Sequence, residues 1–307
     1  MKIKFWGVRG SIPSPGPETV KYGGNTICLE VRFKSPDRLI IIDAGSGIRR
    51  LGNYLMANDI PRGLKTIDIF LTHTHWDHII GLTSFKPMFI PGMRIRIHGP
   101  ATYESDSLAK VLSGQFMYRY FPVRLEELES NIEFIEFVED SIDLGGGIRL
   151  TTKYLNHPIR CMGYRFEYKG RSFATVFDSE PFVNLFCNDP ADPGYDAEIA
   201  REGEAAAKEQ NQLIEQWLAN ADLIIHDAQY TRQEYEEAMQ GWGHCSMEDA
   251  IDTARKNRGK KLALIHHDPD RTDEQIDLLA EQLCFGGENS DFHVFFAREE
   301  MEIQIQG

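Results

Sequence analysis

Phe70-Leu71-Thr72-His73-Thr74-His75-Trp76-Asp77-His78 passes from an apolar run into three histidines and an aspartate, four candidate ligands within six residues. The apolar residues before it read as a strand, so the cluster stands at a strand end. Without a metal, neutral imidazoles and a carboxylate at the end of a buried strand would each need a separate hydrogen-bond partner. Nitrogen and carboxylate donors suit Zn2+, and they also serve Mn2+ or Fe2+. On a loop, His73 and His75 point one way while Asp77 and His78 turn toward a second position. The competing picture, surface histidines in a polar loop, does not account for so dense a run.

Short β-rich stretches flank this run, at residues 2–5, 27–33, 38–42, 66–71 and 93–98, with turn residues between them. After the turn at 43–47, apolar positions Ile48, Leu51 and Leu55 fit one face of a helix. Residues 101–122 carry helical spacing and end in an aromatic cluster at 116–121. A second strand series follows at 132–138, 148–155, 163–168 and 171–176, with Lys169-Gly170 as a tight hairpin turn. Residues 188–203 are polar and acidic and read as a loop, after which 204–220 read as helix. Strand at 223–225, helix at 247–256, strand at 261–265 and helix at 272–283 complete the pattern. Two strand-rich halves with interspersed helices predict an α+β sandwich with helices outside, in one domain spanning 1–307. Insertions are expected near 101–130 and 181–210.

The 307 residues are 42% hydrophobic and 26% charged, ordinary for a globular chain. No apolar run approaches the roughly 20 residues that span a bilayer, so no membrane association is expected. The N-terminus enters an alternating pattern at once, without the apolar stretch of a secretory signal, and a cytoplasmic location is the expectation. Five scattered cysteines without a C-x-x-C spacing indicate neither a disulfide framework nor a cysteine zinc site. The formal net charge of −14 disfavours polymeric nucleic acid as a partner, because such binding depends on Lys and Arg neutralising phosphates. A small anionic substrate is less penalised, since two bound divalent cations can reverse the local field. Composition leaves a homo-oligomer open.

His73-x-His75-x-Asp77-His78 after an apolar strand resembles the metallo-β-lactamase fold superfamily, whose fold is a four-layer αββα sandwich. That pattern next asks for a lone histidine after a later strand, and His157 follows Leu155-Asn156. It asks for an aspartate ending a hairpin strand, which Val176-Phe177-Asp178 supplies, and for a histidine ending a late strand, met by Leu264-Ile265-His266. Asp43 matches the family's buried aspartate near the site, so the resemblance runs from Phe5 to about Asp268. It implies that His73, His75 and His157 hold one divalent ion, that Asp77, His78 and His266 hold a second, and that Asp178 bridges them. His267 is an alternative to His266. The match of Leu-Ile-His with the earlier Leu-Thr-His favours His266 and leaves His267 beside the ligands, while Asp43 would orient a ligand histidine. The implied chemistry is hydrolysis by a metal-bridging hydroxide, with Asp77 counted among the catalytic groups as well as the ligands.

The same ligands serve thioesters, lactams and phosphodiesters across the superfamily, so other residues must select the bond. Leu223-Ile224-Ile225-His226-Asp227 and Gly241-Trp242-Gly243-His244-Cys245-Ser246 resemble paired motifs of the RNase Z and phosphodiesterase branch. There an acidic residue supports a histidine that protonates the leaving oxygen, roles that fall on Asp227 and His244. Asp stands where RNase Z has Glu, and Cys245 separates His244 from Ser246. A simpler role for His244 is to precede a helix cap at Ser246. The opening Gly7-Val8-Arg9-Gly10-Ser11 and Gly23-Gly24-Asn25-Thr26 resemble the same branch. Arg9, Arg160 and Tyr230 are candidates either for phosphate or base binding or for packing. The expected activity is that of a phosphodiesterase on a small, cyclic nucleotide-like substrate. A tRNase Z-like endoribonuclease, a glyoxalase II-like thioesterase and a non-enzymatic metal-binding sensor are the alternatives.

Overall fold

Leu39-Ile40-Ile41-Ile42 is apolar at every position because both faces of its strand are covered: Ile40 and Ile42 enter one buried cluster, Leu39 and Ile41 another. The computed structural model describes residues 1–101, 106–287 and 290–306. Strands β1 (Lys2–Gly7), β2 (Cys28–Lys34), β3 (Asp37–Ile42), β4 (Thr66–Phe70), β5 (Arg94–Pro100) and β6 (Asn131–Phe137) build one sheet. Strands β7 (Ser141–Asp143), β8 (Ile148–Leu155), β9 (Cys161–Tyr168), β10 (Arg171–Val176), β11 (Leu223–Asp227), β12 (Lys261–Ile265) and β13 (His293–Phe296) build the other. Strand β14 (Glu302–Gln304) returns to the first sheet beside β1, so among the described residues each sheet has seven strands. Pairing is parallel from β3 to β6 and from β10 to β13.

Three apolar layers separate four structural layers. Phe5, Val31, Phe70, Phe166, Ile225 and Ile265 fill the space between the sheets. Ile41, Ile67 and Ile69 pack outward on Leu51 and Leu55 of helix α1 (Ile48–Asn58). The short helices α2 (Trp76–Ile79) and α3 (Leu108–Ser113) belong to that side. Beyond the second sheet lie α4 (Ala197–Leu218), α5 (Arg232–Glu234), α6 (Met247–Lys256) and α7 (Asp273–Leu283). There Ala174, Ile224 and Leu264 meet Leu218, Ile251 and Ile276. This is the αββα sandwich. No helix among the described residues is long and apolar enough to cross a membrane.

Helix α6 has the bounds its sequence predicts, because its ends are chemically marked. Ser246 Oγ accepts from Asp249 N at 3.1 Å, acids occupy its first turn, and Arg255 and Lys256 its last. The Lys169-Gly170 turn has both φ angles positive, 51° and 71°, as a tight hairpin requires. Helix α4 differs from expectation: it starts at Ala197, capped by Asp196, rather than at 204. Gly203, taken as the loop's end, lies inside the helix, where a Cβ would stand 2.1 Å from Asn184 Oδ1. The glycine permits close approach there rather than breaking the helix. The expected helix over 101–122 is realised only as α3 and a following 3-10 turn, with 102–105 outside the described residues. The short strands β13 and β14 lie beyond the last predicted element.

Candidate metal centre

The parallel strands bring their carboxyl ends together, the end at which open α/β sheets collect ligands. Asp43 follows β3, Asp178 comes shortly after β10, Asp227 ends β11 and His266 follows β12. Asp43, Asp178 and His266 have left-handed backbones, with φ of 59°, 48° and 67°. That region costs an ordinary L-residue roughly 1–2 kcal/mol, and at each position it turns the chain sharply at the strand end. His73, His75, Asp77 and His78 come from the loop after β4 and the start of α2, and His157 from the loop after β8.

Two clusters result. Candidate ligand atoms of His73, His75, His157 and Asp178 lie within 4.8 Å of one another, as do those of Asp77, His78, Asp178 and His266. Asp178 belongs to both, its Oδ2 lying 3.5 Å from His73 Nε2 and its Oδ1 3.1 Å from His78 Nε2 and 3.3 Å from His266 Nε2. Asp77 Oδ2 stands 3.3 Å from His78 Nε2 and 3.2 Å from His266 Nε2.

These residues fit divalent ions. The buried atoms His73 Nε2, His78 Nε2 and Asp178 Oδ1 face one another yet have no hydrogen-bond partner, a costly state for buried polar groups. Donor separations of 3.1–3.5 Å match the edge of about 3.4 Å for a tetrahedron of ligands at 2.0–2.1 Å. His157 Nδ1 donates to the Gly243 carbonyl at 2.9 Å, so its Nε2 lone pair is left facing His75 Nδ1 at 3.0 Å. Burial holds the proton affinity of His73 well down and pushes His157 down to about 4, leaving the neutral imidazoles that a cation requires. His78 goes the other way: burial opposes its charge, but Asp178, Asp77 and Asp43 surround it and lift its proton affinity well above normal. A field that draws a proton to that point also draws a metal ion.

The supporting contacts fix the candidate ligand rings. Asp43 accepts from His78 Nδ1 at 2.7 Å and from Thr72 N and Oγ1 at 2.7 and 2.9 Å, so His78 is the histidine it orients. His266 Nδ1 lies 3.1 Å from Gln229 Oε1, and Ser11 N donates to Asp77 Oδ2 at 2.8 Å. Beside the ligands, His244 Nδ1 donates to Asp227 Oδ2 at 2.9 Å, which leaves Nε2 free. The His244 ring lies 4.8 Å from that of His266 and 5.6 Å from that of His157, between the two halves of the centre. Burial disfavours its charge, yet Asp227 overrides this and raises its pKa to about 9.

Comparisons with known proteins place the chain's fold. A family model described as a beta-lactamase superfamily domain matches residues 38–182. The chain is 26% identical over 317 aligned residues to Ribonuclease BN of Proteus mirabilis, covering 92% of this chain and 94% of that protein. It is 24% identical to Ribonuclease Z of Thermococcus sibiricus, with 92% of each covered. Among solved structures, a diphosphatase from the PhnP family superposes with a TM-score of 0.63 at 18% identity, over 99% of this chain and 98% of that one. Human tRNase Z, short form, superposes with a TM-score of 0.60 at 20% identity, over 100% of both chains. This is a metallo-β-lactamase-fold hydrolase.

In this hydrolase His267 is turned away from the centre: its Nε2 donates to Ala297 O at 2.8 Å and its ring packs edge-on against Tyr22. It is therefore neither a stand-in for His266 nor in hydrogen-bond contact with a ligand side chain. Arg9 is fully buried and bonds the carbonyls of Gly23, Asp268 and Arg271, so it joins two loops instead of facing a substrate. Arg160 donates to Ala101 O, and Tyr230 is buried with its ring 6.1 Å from His244. Sequence reasoning passed over Gln229, Thr72 and Glu180, whose contacts to the site are tertiary. It also passed over Trp76 and Trp242, which stand 62% and 63% exposed next to His75 and Gly243.

Gly243 has φ +82°, and a Cβ there would stand 2.3 Å from His157 Nδ1. Gly243→Ala is expected to destabilise the protein by roughly 1–3 kcal/mol, read as a lower thermal midpoint. Weaker metal retention at His157 should accompany it. A midpoint equal to that of the parent would show that the turn does not press on His157.

Proposed function

We propose that this hydrolase is a phosphodiesterase acting on a small, cyclic nucleotide-like phosphodiester. The observation that carries the reading is the Asp227–His244 pair set against the two ligand clusters. Lactam and thioester cleavage by the same ligand set does not call for that pair. His73, His75, His157 and Asp178 would hold one ion, and Asp77, His78, His266 and Asp178 the other, with Zn2+ the best match to the donors. When bound, such ions supply water that ionises near neutral pH and stabilise charge on phosphoryl oxygens.

The chain's own groups do the rest. Asp227 holds the Nδ1 proton of His244, which fixes the ring and favours the imidazolium. As the bond from phosphorus to the leaving oxygen breaks, His244 Nε2 gives that oxygen its proton. Asp43 and Gln229 keep His78 and His266 from rotating. Exposed Trp76 and Trp242 offer flat faces to a base.

A tRNase Z-like activity is the second reading, favoured by the names of the relatives. The net charge of −14 weighs against a long polyanion. The test is an assay of metal-analysed protein on a cyclic nucleotide, bis(p-nitrophenyl) phosphate, a tRNA precursor, a thioester and a lactam. Turnover of the first two is the expected result. Preferential cleavage of the tRNA precursor would move the assignment to the second reading, and a response confined to lactam or thioester would overturn both.

A further inference from the structure

Glu180 is an acidic residue buried to 7% exposure, and among the described residues no lysine or arginine pairs with it. Such a carboxylate is expensive unless hydrogen bonds replace its lost water. Three do: Tyr235 Oη donates to Oε1 at 2.6 Å, Gly241 N to Oε1 at 2.7 Å and Gly243 N to Oε2 at 3.0 Å. Two of the three donors are peptide groups of the turn that carries His244. Gly241 and Gly243 have φ of +83° and +82°, in a segment whose glycines give it little stiffness of its own.

The rest of Glu180 points the same way. Its backbone N–H donates to Asn156 O at 2.9 Å, next to His157, and the Gly243 carbonyl accepts from His157 Nδ1 at 2.9 Å. The Gly243 residue is thus held from one side by Glu180 and from the other by a candidate ligand. Within Asp178-Ser179-Glu180, the first residue faces both ligand clusters, the second donates its N–H to Asp227 Oδ2 at 3.4 Å, and the third grips the glycine turn. One tripeptide therefore touches the metal centre, the partner of His244 and the loop that bears His244.

We propose that Glu180 is a positioning residue for the reaction: by clamping the Gly241–Gly243 turn it holds His244 at the height and angle from which its proton reaches the leaving oxygen. This rests on the reading of His244 as general acid. Glu180 does not touch substrate, so its effect passes through His244 and must share that residue's dependence on leaving group.

The experiment compares Glu180→Gln, His244→Ala and the double variant, each analysed for metal, on an alkyl phosphodiester and on bis(p-nitrophenyl) phosphate. Glutamine keeps an oxygen for Tyr235 and Gly241 but turns its amide on the Gly243 N–H. The expected result is two ions per chain, kcat on the alkyl diester lower by about 10–100-fold, KM within about twofold, and a smaller loss on the p-nitrophenyl ester. In the His244→Ala background, Glu180→Gln should cost nothing further. Equal losses on both esters in Glu180→Gln, or a full additional loss in the double variant, would overturn the clamp while leaving a leaving-group-dependent His244 intact. Equal losses in His244→Ala itself would instead remove the acid beneath it. If Glu180→Gln does not fold, Glu180→Asp, which retains the carboxylate but draws it back from the turn, is read by the same criteria.

Discussion

Asp178→Asn is expected to abolish the paired metal site and nearly all turnover. Asp178 is the residue common to both ligand clusters, with one oxygen toward His73 and the other toward His78 and His266. Elemental analysis of the parent should give close to two ions per chain, and the variant fewer. Loss of an ion removes several kcal/mol of charge stabilisation, so kcat/KM should fall on the order of 10³-fold or more. Asparagine is the informative substitution because it keeps the side chain's shape and tolerates the left-handed backbone at φ 48°. Asp178→Ala should lose metal similarly and, in addition, carry backbone strain, seen as a lower melting midpoint. Two ions per chain and parental turnover in Asp178→Asn would remove this residue from the bridge.

How much of this was legible before the structure depends on where each residue's partners lie along the chain. His73, His75, Asp77 and His78 announce themselves because four candidate ligands share one loop after one strand. Helices α6 and α7 were readable because Ser246 and Thr272 cap them and acids crowd their first turns. His157, Asp178 and His266 carry weak signals singly, since each is one polar residue after an apolar strand, and it was their order along the chain that the family resemblance supplied. Glu180 had no signal at all. Its partners lie 55 to 63 residues away, and nothing in Asp178-Ser179-Glu180-Pro181 foretells a buried carboxylate. Gly203 misled for a related reason: its breaker chemistry is local, while its use, close packing against Asn184 and Phe186, is tertiary. His267 shows the same limit: the Leu-Ile-His match favoured His266, but that His267 bonds Ala297 O and packs on Tyr22 is set by tertiary contacts.

His244→Ala should keep its metals, because His244 belongs to neither four-residue cluster and its Nδ1 is committed to Asp227 Oδ2 at 2.9 Å. What the variant loses is the proton at Nε2. General acid catalysis contributes typically ~10²–10⁴-fold, so kcat on a diester with an alkyl leaving group should drop by about that factor while KM changes little. A p-nitrophenolate leaves without needing a proton, and turnover of bis(p-nitrophenyl) phosphate should fall much less. Asp227→Asn should reproduce the pattern more weakly: the amide keeps an oxygen for His244 Nδ1 but not the charge that overrides burial and raises its pKa to about 9. The gap between the two substrates is the decisive reading. Equal losses on both would make His244 a group that binds substrate or supports the fold, and fewer than two ions per chain in His244→Ala would place it, with Asp227 and His266, among the ligands.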